Sequence, residues 1–88
     1  MTLEEVKDAL RVSGNQDDDL LERLLASAVS ECLRFTGLEE LDSSSEEDLW
    51  QGIIVMIHAD YDGDPKVRNE YRRAAESLWM PYRTGLGV

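Results

Sequence analysis

The segment LWQGIIVMIHA, residues 49–59, most constrains the fold. It is apolar on nearly every side of a helix, and a helix of that kind has to be surrounded by other elements. It falls short of the roughly 18 consecutive apolar residues that a bilayer span requires. In a chain of 88 residues it implies one small domain whose other helices pack around it. Gly52 lowers helix propensity inside the run, and one use for a glycine there is the close approach of a neighbouring helix.

Three further helices can be read, and no convincing strand. The first covers residues 2–10: Thr2 and Glu5 form a capping-box pattern, and Leu3, Val6 and Leu10 share a face. Ser13-Gly14-Asn15 then breaks the pattern. The second starts near Asp17 and runs to Thr36, with Asp17, Asp18 and Asp19 suited to its first turn and Gly37 to its end. Leu20, Leu21, Leu24, Leu25, Ala28, Cys32 and Leu33 lie on its broad apolar stripe. Ser43-Ser44-Ser45 before Glu46 reads as the start of the apolar third helix, residues 46–61, with Trp50 as a core residue. The fourth begins at Lys66 or Val67 and ends at Trp79, with Val67, Tyr71, Ala74, Ala75, Leu78 and Trp79 on its apolar face and Arg72 able to pair with Glu76. Pro81 blocks further regular helix. The expected fold is all-α: a bundle of about four helices around a central buried one, residues 1–80, followed by an extended C-terminal tail, residues 81–88.

HADYDGDPK, residues 58–66, is the segment most suggestive of chemistry. Asp60, Asp62 and Asp64 imitate the first half of a calcium loop, which needs glycine at its sixth position and glutamate at its twelfth. Counted from Asp60 those positions hold Pro65 and Tyr71, and counted from Asp62 the fifth holds Lys66. No register works, and His58 with Asp62 alone makes too few ligands for a zinc site. Asp62-Gly63-Asp64-Pro65 is instead turn chemistry between two antiparallel helices. No phosphate loop, nucleophile elbow, zinc spacing or nucleic-acid motif occurs elsewhere, so no catalytic, cofactor-binding or metal residue is expected and the chain reads as a non-enzyme. Cys32, the one cysteine, reads as a small buried core residue.

Charge is distributed unevenly. Residues 1–64 hold 17 acids and 4 bases, a formal −13, while residues 65–88 hold 2 acids and 5 bases, +3. The acidic body should repel nucleic acid and anionic membrane. The C-terminal segment is suited to an acidic surface, including that of a second copy. MTLEEVKDAL lacks the basic start and apolar centre of a signal peptide, so the protein is expected to be intracellular at synthesis.

Several stretches, in order, resemble the small head–tail connector proteins of tailed bacteriophages, also described as DNA-packaging proteins. LEEVKDALRV resembles the opening helix of that family, with its Leu-Arg-Val step. Asp18-Asp19-Leu20-Leu21 is similar to its second helix start, and Phe35-Thr36-Gly37 to the aromatic-Thr-Gly step that ends that helix. IIVMIHADYD is similar to its long apolar helix, and Leu78, Pro81, Tyr82 and Arg83 to its closing step. Many members carry a longer glycine-containing loop after the apolar helix, where this chain enters VRNEYRRAAESLW directly.

The resemblance implies a mainly helical structural subunit, without reaction or cofactor. Its copies would be made in the bacterial cytoplasm, form a ring on the portal protein, extend the DNA channel, accept the tail or a tail-completion protein, and reside at the head–tail junction of a phage or prophage particle. DNA would pass without sequence-specific binding. A ring needs a heterologous interface, in which one face meets a different face of the next copy. Arg68, Arg72, Arg73 and Arg83 are candidates to face carboxylates of a neighbour or of the portal. Trp79, Tyr82 and Leu86 are candidate anchors, since tryptophan, tyrosine and arginine are favoured at interfaces; the other reading is that Trp79 and Tyr82 close the fourth helix onto the core. The alternative is a small acidic helical regulator, or a DNA mimic that inhibits a basic partner protein.

Overall fold

The computed structural model describes residues 1–41 and 47–83. Four α-helices follow one another: α1 Leu3–Leu10, α2 Asp18–Thr36, α3 Glu47–Asp62 and α4 Pro65–Trp79, with a 3-10 turn at Met80–Tyr82. No strand occurs among the described residues. The fold is an all-α bundle, as the helical periodicity implies. The expected Ser43-Ser44-Ser45 helix start lies outside the described residues, as does Leu86.

Local chemistry sets most of the helix ends. The Thr2 hydroxyl accepts from the Glu5 N–H at 3.3 Å while the Thr2 N–H donates to Glu5 Oε1 at 3.2 Å, which completes the capping box. Gly37 closes α2 at φ 81°, in the left-handed region open to glycine, and its N–H donates to the Leu33 carbonyl at 2.8 Å. Only Gly63 and Asp64 separate α3 from α4. Gly63 turns the chain at φ 75°, and Asp64 Oδ1 accepts from the Lys66 N–H at 3.0 Å, with Pro65 opening the helix. Pro81 ends the regular helix; one 3-10 turn follows and Arg83 is extended.

α3 and α4 form an antiparallel hairpin. Trp79 meets Leu49 and Gly52, Arg72 meets Met56, Tyr71 meets His58, and Arg68 meets Asp60. α2 lies across both helices and α1 across α2 and α3. α3 contributes Leu49, Gly52, Ile53, Met56, Ile57 and Ala59 to the interior, more than any other helix, which makes it the central element. It is less enclosed than its sequence implies. Ile54 and Val55 are only half-buried and line an open groove with Leu10, His58 and Tyr71. Trp50, expected in the core, is also half-buried.

The aspartates stand at the start of α2 as expected, Asp17 at the N-cap position and Asp18 and Asp19 in the first turn, and two of them also tie it to other helices. Asp17 holds the N-cap position without a side-chain cap bond, and its carboxylate accepts from the Tyr61 hydroxyl of α3. Asp18 pairs with Lys7 at 2.8 Å. The Lys7 ammonium, buried at the end of α1, also donates to the Gly14 carbonyl at 2.6 Å and to Asn15 Oδ1 at 3.3 Å. It thereby fastens the α1–α2 turn. The hydrogen bond that Lys7 donates to Asp18 holds Lys7 above the ordinary lysine value of 10.5, and the one that Tyr61 donates to Asp17 holds Tyr61 above the ordinary tyrosine value of 10.0.

Both groups bind their proton more tightly folded than unfolded. Their contributions are complete below the ordinary values and are lost as pH rises through the folded ones. The melting temperature is therefore expected to fall as pH rises above the ordinary tyrosine value of 10.0, and to fall less in Tyr61→Phe. An identical fall in the two proteins, followed by circular dichroism, would contradict the role given to the Tyr61–Asp17 bond.

Candidate assembly surface

The sequence offered the C-terminal segment as the contact surface, and the fold divides its residues. Arg68 Nε lies 3.0 Å from Asp60 Oδ1. Arg72 Nη2 lies 3.0 Å from Glu31 Oε2 of α2, and its Nη1 is 3.8 Å from Met56 Sδ. The partner of Arg72 is thus a carboxylate from another helix rather than Glu76, one turn along its own. Both arginines already have carboxylates within their own chain, and in each case the pair ties α4 to a neighbouring helix.

Of the two readings of Trp79, the fold favours the one that closes α4 onto the core. It is 1% exposed, its ring packed over the bare backbone of Gly52 and its Nε1–H donating to the Leu49 carbonyl at 3.1 Å. A ring so enclosed is a core residue and is not available as an anchor for a partner. Tyr82 is half-buried.

Arg73 and Arg83 remain at the surface. Arg73 is exposed, with no carboxylate within ion-pairing distance among the described residues. Arg83 is exposed and its guanidinium carbon stands 5.3 Å from the centroid of the Phe35 ring. Phe35 in turn packs against Trp79, ring centroids 6.1 Å apart. The Phe35-Thr36-Gly37 and Pro81-Tyr82-Arg83 steps, remote in sequence, therefore meet at one corner. A shallow cleft opens there between α2 and α4, lined by Phe35, Arg73, Glu76, Ser77 and Met80. Met80 is 41% exposed, one of two large hydrophobic side chains so exposed among the described residues.

A second cleft lies between α1 and α3, lined by Met1, Glu5, Glu47 and Trp50. Sequence reasoning missed it because Trp50 sits in an apolar run that looks wholly internal. The only available sign was the acidic flank at Glu46-Glu47-Asp48.

The histidine and aspartates of residues 58–66 have separate structural tasks. His58 stacks on Tyr71 with centroids 5.1 Å apart, Asp60 faces Arg68, and Asp64 caps α4. Among the described residues no three His, Cys, Asp or Glu side chains are grouped to hold a metal ion. Cys32 is fully buried, and burial pushes its thiol up to about 11, so at neutral pH it is protonated and shielded. None of the described helices is long and apolar enough to cross a membrane.

The model of the phage gp6-like head-tail connector protein family matches residues 1–79. The chain belongs to that family. The match takes in all four helices and stops at Trp79. No curated protein and no solved structure matches the chain. Head–tail connectors are structural proteins of the virion. Their place at the junction implies contact with other head and tail proteins, and oligomerisation. For a connector, the surfaces that matter are those that meet other subunits; among the described residues the two clefts combine exposed charge with apolar area, while Leu20 and the groove beside Ile54 and Val55 expose apolar area alone.

Proposed function

We propose that this chain is a head–tail connector subunit that assembles as a ring on the portal of a phage or prophage particle, extends the DNA channel and accepts the tail. The family match over residues 1–79 carries this reading. The protein acts without a chemical step. Its partners are further copies of itself, the portal protein and a tail or tail-completion protein.

The electrostatics support it. A channel wall drawn from a body of net charge −13 repels the DNA backbone, so DNA passes without being gripped. The same charge would serve a DNA mimic, but the exposed Arg73 and Arg83 interrupt it at the corner where the family-like steps meet. Deleting the gene in the particle that encodes it should leave filled heads and separate tails, seen by negative-stain microscopy and corrected by supplying the protein in trans. Normal joined particles from the deletion would overturn the proposal.

A further inference from the structure

We infer that copies of this chain associate head to tail through two particular surfaces: the Arg73–Met80 edge of α4 on one copy, and the acidic cleft beside Trp50 on the next. The inference rests on the connector reading and assigns its subunit contact.

The two surfaces are complementary. The α4 edge offers an exposed guanidinium without a carboxylate of its own among the described residues, next to an exposed thioether side chain. Arg68 and Arg72, close by in sequence, are already paired, which leaves Arg73 as the cation of that cleft. The α1–α3 cleft offers the half-buried indole of Trp50 beside Glu47. Glu47 is exposed and has no ion pair among the described residues. Glu5 lines the same cleft, though its carboxylate also accepts from the Thr2 N–H. An arginine entering there meets an aromatic face and a carboxylate together, and a methionine side chain beside it covers apolar area.

The geometry fits a repeating contact. The surfaces share no residue, so one copy can use both at once. Both lie at the same end of the α3–α4 hairpin, because Trp79 over Gly52 and Leu49 sets Met80 beside the start of α3. Cleft against cleft would oppose two Glu47 groups, and the edge that carries Arg73 also carries Glu76, so the better partner for the acidic cleft is the guanidinium of the edge.

The test is a charge exchange read by sedimentation equilibrium at low salt, on wild type, Arg73→Glu, Glu47→Arg and the double variant. Both positions are exposed, so the folds should survive, with unchanged circular dichroism as the check. Each single reversal should weaken self-association by about tenfold or more, and the double variant should recover to within about threefold of wild type. Single variants that associate like wild type would overturn the contact, as would a double variant no better than the singles. A wild-type chain that stays monomeric at about millimolar concentration would overturn it too, because the contact as argued needs no other protein. In each of these cases the gene-deletion result would still stand or fall separately as the test of the connector reading.

Discussion

Alanine at Gly52 should cost this small domain about 3 kcal/mol or more of stability, although it replaces the poorest ordinary helix former with the best. A Cβ at position 52 would lie 2.7 Å from Trp79 Cε2 and 2.8 Å from Cδ1, and closer still to Nε1. The indole cannot yield easily. It is 1% exposed, bonded through Nε1 to the Leu49 carbonyl, and backed by Phe35. Either the ring leaves its place or α3 and α4 separate. The propensity gain of about 1 kcal/mol works in the other direction and is too small to compensate. Chemical denaturation checks this, with Gln51→Ala as an exposed neighbour that should be nearly neutral. The steric cause is separable from others: in a Trp79→Leu background the same glycine substitution should cost at least about 1 kcal/mol less. Equal costs in both backgrounds would remove the explanation.

Trp79→Ala should be at least as damaging, at about 3–5 kcal/mol. It empties the space between α3 and the end of α2, removes the buried hydrogen bond to Leu49, and withdraws the support of Phe35. A domain of this size has a total stability of about 5–15 kcal/mol, so the variant should melt near or below growth temperature. The effect should reach the surface as well. Arg83 stands over Phe35, and Phe35 is placed by Trp79. The variant should therefore lose assembly even under conditions where circular dichroism shows it still helical. Trp79→Phe should restore most of the packing without the Nε1 bond and fall between the two.

These two positions show what the sequence disclosed and what it withheld. The helix ends were legible because they depend on neighbours: Thr2 with Glu5, Gly37 after Thr36, Gly63 and Asp64 before Pro65. The close helix approach at Gly52 was legible as a possibility, but not the identity of the ring that fills it, which comes from a residue 27 positions later. Contacts across the bundle were the least visible. Helical spacing suggested Glu76 for Arg72, whereas the fold brings Glu31 to it from α2. The three aspartates at the start of α2 looked like helix-start residues, yet two of them reach other helices, to Tyr61 and to Lys7. Lys7 itself, a cation in an amphipathic helix, carried no sign that its ammonium would be buried among three acceptors. Of the candidate contact residues, Trp79 was drawn inward because its flat ring matches a glycine, while Arg73 stayed outside because no carboxylate of α2 or α3 comes within pairing distance of it.

The central claim is that the chain docks as a ring at the junction of head and tail. The most direct measurement incubates the purified protein with DNA-filled heads from a strain lacking the gene and images the portal vertex by cryo-electron microscopy. The account predicts an added ring of density beneath the portal, together with acceptance of purified tails. A bare portal vertex at saturating protein, with tails still refused, would contradict it.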